Sequence, residues 1–349
     1  MKSLSPIVLP PLSALYGAVT RARLSLYRRG TFRTVYLDRP VISVGNITTG
    51  GTGKTPLVEW VAKRLALDGK KVCILTRGYG RRHPDQRVLV SDGTTVYSTA
   101  AEAGDEAYLL ATNLVGIASV ISDANRASAG KGAIKHLNAD CFVLDDGFQH
   151  LAIARDLNIV TIDATNPWGG GNLLPFGRLR EPLSGLSRAD CVVITRTDQA
   201  EGIPSLRSEI DQLTGGCPLF LSQMQTERIA PLIDSQNNLP DKKNSAAFCA
   251  VGNPQSFFKH LRGEGYELSV ERTFPDHHLF TQKDIDKVVH DAQQAGAESL
   301  ITTAKDAVKL RSLSFSIPCY VLEIEICVEN VEELTKIIRR AAMRASSSL

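Results

Sequence analysis

From residue 40 onward the chain alternates short β-branched apolar runs with stretches whose apolar positions recur every three to four residues. That alternation predicts an α/β fold with a largely parallel sheet flanked by helices. Strands are expected at 41–44, 71–76, 117–121, 141–144, 158–162 and 191–195. Helices are expected between them at 56–68, ended by Gly69, at 105–114 and at 124–137, with a weaker one after 203. Asp92-Gly93 marks a hairpin, because that dipeptide suits a tight turn. Residues 233–245 are polar and poor in branched apolar side chains, which predicts a boundary. Beyond it the pattern resumes, with strands at 246–251, 298–302 and 319–327 and helices at 254–262, 281–295 and 329–344, the second opened by Thr281 as N-cap. The expected division is an N-terminal helical segment, 1–35, a main domain, 36–235, and a smaller α/β domain, 236–349.

The N-terminal segment differs from the rest. From Pro11 onward Leu12, Leu15, Tyr16, Val19 and Leu26 fall near helical spacing with Arg21, Arg28 and Arg29 turned elsewhere, the pattern of an amphipathic helix. Such a helix either lies on a membrane surface or packs on the protein body. It is too short and too broken by Pro6, Pro10 and Pro11 to be the run of about 20 apolar residues that spans a bilayer. A secretory signal would carry its positive charge before the apolar stretch, whereas here four arginines follow it.

Charge sharpens this picture. The first 39 residues hold seven basic side chains against one acid, a net of +6, which leaves −3 for the remainder out of a total of +3. A nucleic-acid binder would spread positive charge over a folded face; concentration beside an apolar stretch suits an anionic membrane surface. With 43% hydrophobic and 22% charged residues over 349 positions, disordered and fibrous classes are excluded. The seven cysteines are scattered without a C-x-x-C pair, so they form neither a zinc site nor a disulfide framework, and a reducing compartment is expected.

The strongest chemical signal is the expected strand 41–44 running through Gly45-Asn46 into Thr49-Gly50-Gly51-Thr52-Gly53-Lys54-Thr55-Pro56. Glycines let successive amides face phosphate oxygens, Lys54 adds a charge, Thr55 offers a hydroxyl to Mg²⁺, and Pro56 sits where a helix tolerates a missing N–H. Position 48 is Thr, so the loop is the G-G-x-G-K-T variant of the P-loop. Asp145-Asp146-Gly147-Phe148-Gln149-His150 closes a neighbouring strand, where a P-loop protein holds its metal-orienting acid. Asp105, in Gly104-Asp105-Glu106, reads by itself as a helix N-cap. Arg77-Gly78-Tyr79-Gly80-Arg81-Arg82 suits either phosphate contact or a solvated loop, and spacing alone assigns no chemistry to His277 and His278.

Together these motifs closely resemble the tetraacyldisaccharide 4'-kinase (lipid A 4'-kinase) family over most of the chain. The resemblance rests on the loop, R-G-Y-G-R at 77–81, Gly104-Asp105-Glu106, D-D-G-F-Q-H at 145–150, Arg178-Leu179-Arg180-Glu181-Pro182, F-P-D-H at 274–277 and T-T-A-K-D-A-V-K at 302–309. It implies transfer of the ATP γ-phosphate to the 4'-hydroxyl of a tetraacylated glucosamine disaccharide 1-phosphate by a peripheral protein on the cytoplasmic face of the bacterial inner membrane. It implies Asp105 as base with His277 as partner, catalytic and Mg²⁺ roles for Asp145 and Asp146, Thr55 as a further metal ligand, and nucleotide contacts from residues 49–55, Arg77 and Gln149. No nucleic acid and no obligate protein partner are expected. Ala304 departs from the family, where a glutamate is usual. The rival function is a membrane-associated P-loop ATPase or GTPase switch, to which Thr195-Arg196-Thr197-Asp198 gives a faint guanine-reader likeness; a non-catalytic lipid scaffold would not need Lys54 and paired carboxylates.

Overall fold

The computed structural model describes residues 9–233 and 239–343; the first eight positions, including Lys2 and Pro6, and residues 234–238 of the expected boundary lie outside the described residues. The strands are β1 Val41–Gly45, β2 Val72–Thr76, β3 Val88–Ser91, β4 Ala118–Ser122, β5 Cys141–Asp145, β6 Leu157–Asp163, β7 Cys191–Thr195, β8 Leu219–Pro231, β9 Ser245–Cys249, β10 Leu268–Thr273, β11 Ser299–Thr303 and β12 Cys319–Val328. The helices are α1 Leu9–Arg28, α2 Lys54–Leu67, α3 Ala100–Ala103, α4 Asp105–Asn113, α5 Arg126–Leu137, α6 Ile203–Thr214, α7 Pro254–Gly263, α8 Gln282–Gln294, α9 Ala304–Leu310 and α10 Val331–Met343.

All twelve strands join one sheet in the order β10-β9-β11-β12-β8-β7-β6-β1-β5-β2-β4-β3. Pairing is parallel except for β3 with β4 and β8 with β12. The β1, β2, β4, β5 and β7 strands are buried at every position, which is why they read as continuous apolar runs. By contrast, β8 escapes the apolar pattern. Its Phe220, Ser222 and Met224 face inward between exposed Gln223 and Gln225, and its stability comes from pairing with β12 from Ser222 to Pro231 rather than from an apolar sequence.

The first lobe (β1 to β7 with α1 to α6) and the second (β9 to β12 with α7 to α9) meet along β8 and β12. The chain then returns to the first lobe, where Leu334, Ile338, Ala341 and Ala342 of α10 enter the same core as Leu57, Val61 and Leu65 of α2. Five cysteines are buried, and burial raises the thiols of Cys73 and Cys141 to about 12, so these are inert apolar fillers.

Helix α1 meets the second of the two expectations for the N-terminal segment, packing on the protein body. It docks on the body through a narrow stripe: Ser13 Oγ donates to the Leu173 carbonyl (2.8 Å), the Tyr16 hydroxyl donates to the Arg180 carbonyl (2.8 Å), and Gly17 packs against Leu173. Tyr16, expected on the outward apolar face, therefore turns inward because its hydroxyl finds a partner there. Leu12, Leu15 and Val19 stay exposed, at 38%, 61% and 59%. Among the described residues no helix is long and apolar enough to cross a membrane.

Candidate active site

The phosphate loop is held from three sides. Asn46, fully buried after β1, donates from Nδ2 to the Thr48 carbonyl (2.7 Å) and to Thr52 Oγ1 (3.0 Å), and Thr52 in turn meets Thr161 of β6 (2.8 Å). Gly53 takes the left-handed conformation (φ 77°) that swings the chain into α2 at Lys54, leaving the first-turn amides of that helix without helical partners and free to receive an anion. Just after β7, Arg196 donates to the Gly51 carbonyl (2.7 Å) and pairs with Asp163 (2.6 Å). The guanine-reader likeness of 195–198 thus has a different structural use: Arg196 points inward and braces the loop. The second lobe closes on the far side, where a Cβ on Gly252 would stand 2.3 Å from the Gly51 amide nitrogen, a contact that only glycine permits. Arg178 donates to the Gly252 carbonyl (3.1 Å).

The two adjacent carboxylates after β5 are in different states. Asp145 is buried, with Oδ2 accepting from Thr76 Oγ1 (2.9 Å) and Oδ1 without a partner among the described residues. Burial, reinforced by Glu106 and Asp146, pushes it up to about 6. Asp146 is held at φ 51° and gives both oxygens to Arg180 (2.6 and 2.8 Å), with Lys54 Nζ at 3.6 Å. Burial alone would raise its pKa, but Lys54 and Arg180 outweigh that and hold it well below the carboxylate range. Arg126 donates to the Asp146 carbonyl (3.1 Å). Gln149 stands behind the cleft: its Nε2 donates to the Asn46 carbonyl (2.7 Å) and to Glu181 (2.8 Å), which Arg188 grips through both oxygens. Arg77 is exposed at the cleft wall, while His150 is driven down to about 4 by burial and by Arg126 and is neutral.

Asp105 is not the cap of α4. Gly104 is, at φ 92°, packed so closely on the 77–80 loop that a Cβ would stand 2.7 Å from the Tyr79 carbonyl oxygen. The Asp105 side chain is thereby free to reach across the cleft to His277 (Nδ1 to Oδ2, 3.4 Å). His277 sits at φ 61°, a conformation that a non-glycine residue adopts only when its surroundings enforce it. Lys305 donates to His277 Nε2 (3.3 Å), to Glu106 (3.0 Å) and to Asp276 (3.2 Å). An ammonium cannot accept, so Nε2 is the acceptor and Nδ1 carries the proton that His277 donates to Asp105. Burial opposes ionisation of Asp105, but the His277 hydrogen bond and the Lys309 ammonium overcome it and hold the carboxyl below its ordinary value. His278 serves the fold instead, bonded to Asp284 at the start of α8 (3.2 Å) and stacked on Phe274.

Lys305, Lys309, Glu106, Arg126 and Arg180 belong to this site and were not singled out as site residues from the sequence. A signal existed for the two lysines, which lie four apart and so share one face of α9. The cleft lined by Glu106, Arg126, Arg180 and Lys305 together with the phosphate loop has a volume of about 1150 Å³. It joins a phosphate-binding loop, a buried carboxylate with one oxygen unpartnered and a histidine bonded to a second carboxylate behind it, the parts required to move a phosphoryl group to a hydroxyl.

A family model described as tetraacyldisaccharide-1-P 4'-kinase matches residues 5–342. The tetraacyldisaccharide 4'-kinase of Geobacter sulfurreducens is 41% identical over 321 residues, covering 90% of this chain and 87% of that protein, and the one from Desulfotalea psychrophila is 39% identical over 315 residues, covering 89% of each. The crystal structure of LpxK from Aquifex aeolicus in complex with ATP is 32% identical, with a TM-score of 0.76 over 97% of this chain and 100% of that one. By fold, by motif and by these matches, the chain belongs to the tetraacyldisaccharide-1-P 4'-kinase family.

Proposed function

We propose that this protein transfers the γ-phosphoryl group of ATP to the 4'-hydroxyl of a tetraacylated glucosamine disaccharide 1-phosphate presented at a membrane surface. The observation that carries the proposal is the meeting of Asp105 and His277, from different lobes, with His277 lining the same cleft as the phosphate loop. Lys54 and the first-turn amides of α2 hold the phosphates and stabilise charge that builds as the group moves. Asp105 accepts the hydroxyl proton late in transfer, and His277 and Lys309 keep it ionised until then. Mg²⁺ fits the donor set present: the open Asp145 Oδ1 and the Thr55 hydroxyl would hold it, with Asp146 committed to Arg180 and Lys54. When bound it neutralises the negative phosphate oxygens. The first lobe, residues 36–235 joined by α10, and the second, the rest of 236–349, act as two closing lobes around the acceptor, with α10 an exception to the expected boundary because it packs into the first core. Lipid-dependent ATP consumption, with ³¹P NMR placing the new phosphate on the 4' position, tests the proposal; ATP hydrolysis indifferent to lipid would favour a nucleotide switch.

Residues 1–35 act as the membrane contact on the cytoplasmic face of the inner membrane, with no obligate protein partner. Outward Leu12, Leu15 and Val19 supply apolar area, and Arg21, Arg23, Arg28 and Arg29 contribute about 1 kcal/mol each near an anionic surface at low salt. Leu15→Glu with Val19→Glu is expected to abolish sedimentation with anionic vesicles while leaving the melting temperature unchanged. Undiminished sedimentation would move the contact elsewhere.

Asp145 carries a pH signature. Its folded-state pKa, about 6, lies above the unfolded value, so its neutral form favours the fold. That contribution is complete below about pH 4 and lost as pH rises through about 6. Without Mg²⁺, Asp145→Asn is therefore expected to melt higher than the parent at pH 8, with the gap closing as pH falls from 8 to 4. A gap that is independent of pH would mean that Asp145 is not a strained, buried charge.

A further inference from the structure

Asp306 is fully buried in the second lobe, at 0% exposure, and it serves two separate chains of contacts. Its Oδ2 accepts from the Ala250 amide (2.8 Å) and from Thr303 Oγ1 (2.8 Å). The Ala250 carbonyl in turn accepts from the His277 amide (3.3 Å), which pins the turn where His277 is held at positive φ. Its Oδ1 pairs with Lys309 Nζ (3.0 Å), and the same ammonium pairs with Asp105 Oδ2 (3.4 Å). Lys309 is itself 5% exposed and lies over the Phe280 ring. One carboxylate thus reaches both members of the Asp105–His277 pair, one through backbone and one through an ammonium.

We propose that Asp306 and Lys309 are positioning residues that tie the aim and ionisation of Asp105, in the first lobe, to the docking of α9 and the His277 turn, in the second. The proposal rests on the kinase reading of the site. The arrangement is asymmetric in charge. Lys309 stabilises ionised Asp105, whereas Asp306 shares Lys309 with it and opposes its ionisation. The other titratable groups around the Asp105–His277 pair are Asp276 from the turn after β10, Tyr79, whose ring is tilted against His277, from the loop after β2, Glu106 on the Asp105 helix, and Lys305 bridging Glu106, Asp276 and His277.

Opposite shifts follow. In protein labelled with [γ-¹³C]aspartate, the Asp105 resonance is assigned by its loss in Asp105→Asn. Lys309→Met is expected to move its titration midpoint up by about one pH unit, and Asp306→Asn to move it down by less. The acidic limb of kcat/KM for lipid is expected to follow both, with kcat lower by about ten- to a hundredfold in each because Asp105 is no longer held in place. Lys309→Met leaves Asp306 as a lone buried charge and can destabilise the fold, so thermal melting accompanies each titration. The Lys309→Met, Asp306→Asn double variant removes both charges and is expected to shift the midpoint up as well, while Lys309→Arg retains the parent midpoint. Midpoints that move together, or not at all, in folded variants overturn the proposal. Opposite midpoint shifts in a protein that phosphorylates no lipid would retain the linkage and reject the kinase reading instead.

Discussion

Lys54→Ala lowers phosphoryl transfer by about 10³-fold or more at saturating ATP while the protein stays folded. Lys54 stands at the start of α2, 15% exposed at its side chain, with its ammonium 3.6 Å from Asp146. It contributes charge to the phosphate cradle rather than packing, and removing a single preorganised charge or donor at the transferring group typically costs 10²–10³ or more in rate. The fold survives because Asp146 keeps its paired bond to Arg180. The measurement is single-turnover transfer alongside thermal melting. Transfer at the parent rate would remove the phosphate loop from the chemistry, and a collapsed melting transition would give Lys54 a structural role.

Asp105→Asn lowers kcat by about 10²–10⁴ with little change in the KM for ATP, because general-base assistance is lost while the nucleotide site is untouched. The substitution keeps the side-chain shape, and Gly104, not Asp105, caps α4, so the helix does not suffer. His277→Ala by itself also lowers kcat, since the Nδ1–H bond that holds the base is gone. If the two act as one unit, the double variant falls well short of the product of the single losses. Multiplicative losses would assign His277 an independent step, and a near-normal kcat in Asp105→Asn would place the base elsewhere.

Much of the phosphate site is legible in sequence because everything it needs is local. A buried strand, a glycine turn and a helix N-terminus lie within about fifteen residues, and backbone geometry alone aims Lys54 and the amides. The parallel strands of the first lobe are legible for a related reason: burial on both faces leaves no polar alternation to obscure them. The same logic hides β8, whose alternating polar residues gain their order only from β12.

The remaining features depend on contacts between distant parts of the chain. Asp105 and His277 are 172 positions apart, and no pattern near either one announces the other. Read locally, Asp105 looks like a cap; only the close packing of Gly104 on the 77–80 loop frees it. Asp145 and Asp146 are equivalent as letters, yet Arg180 takes both oxygens of one and leaves an oxygen of the other open. The outward or inward fate of Tyr16 depends likewise on the Arg180 carbonyl, 164 residues away. The sequence by itself determined the fold class, the phosphate loop and the family, because these rest on local backbone preference and burial pattern. Only the tertiary structure decided which carboxylate is free, which is paired and which faces the histidine, because a carboxylate's state is set by the charges and donors that folding brings within a few ångströms of it.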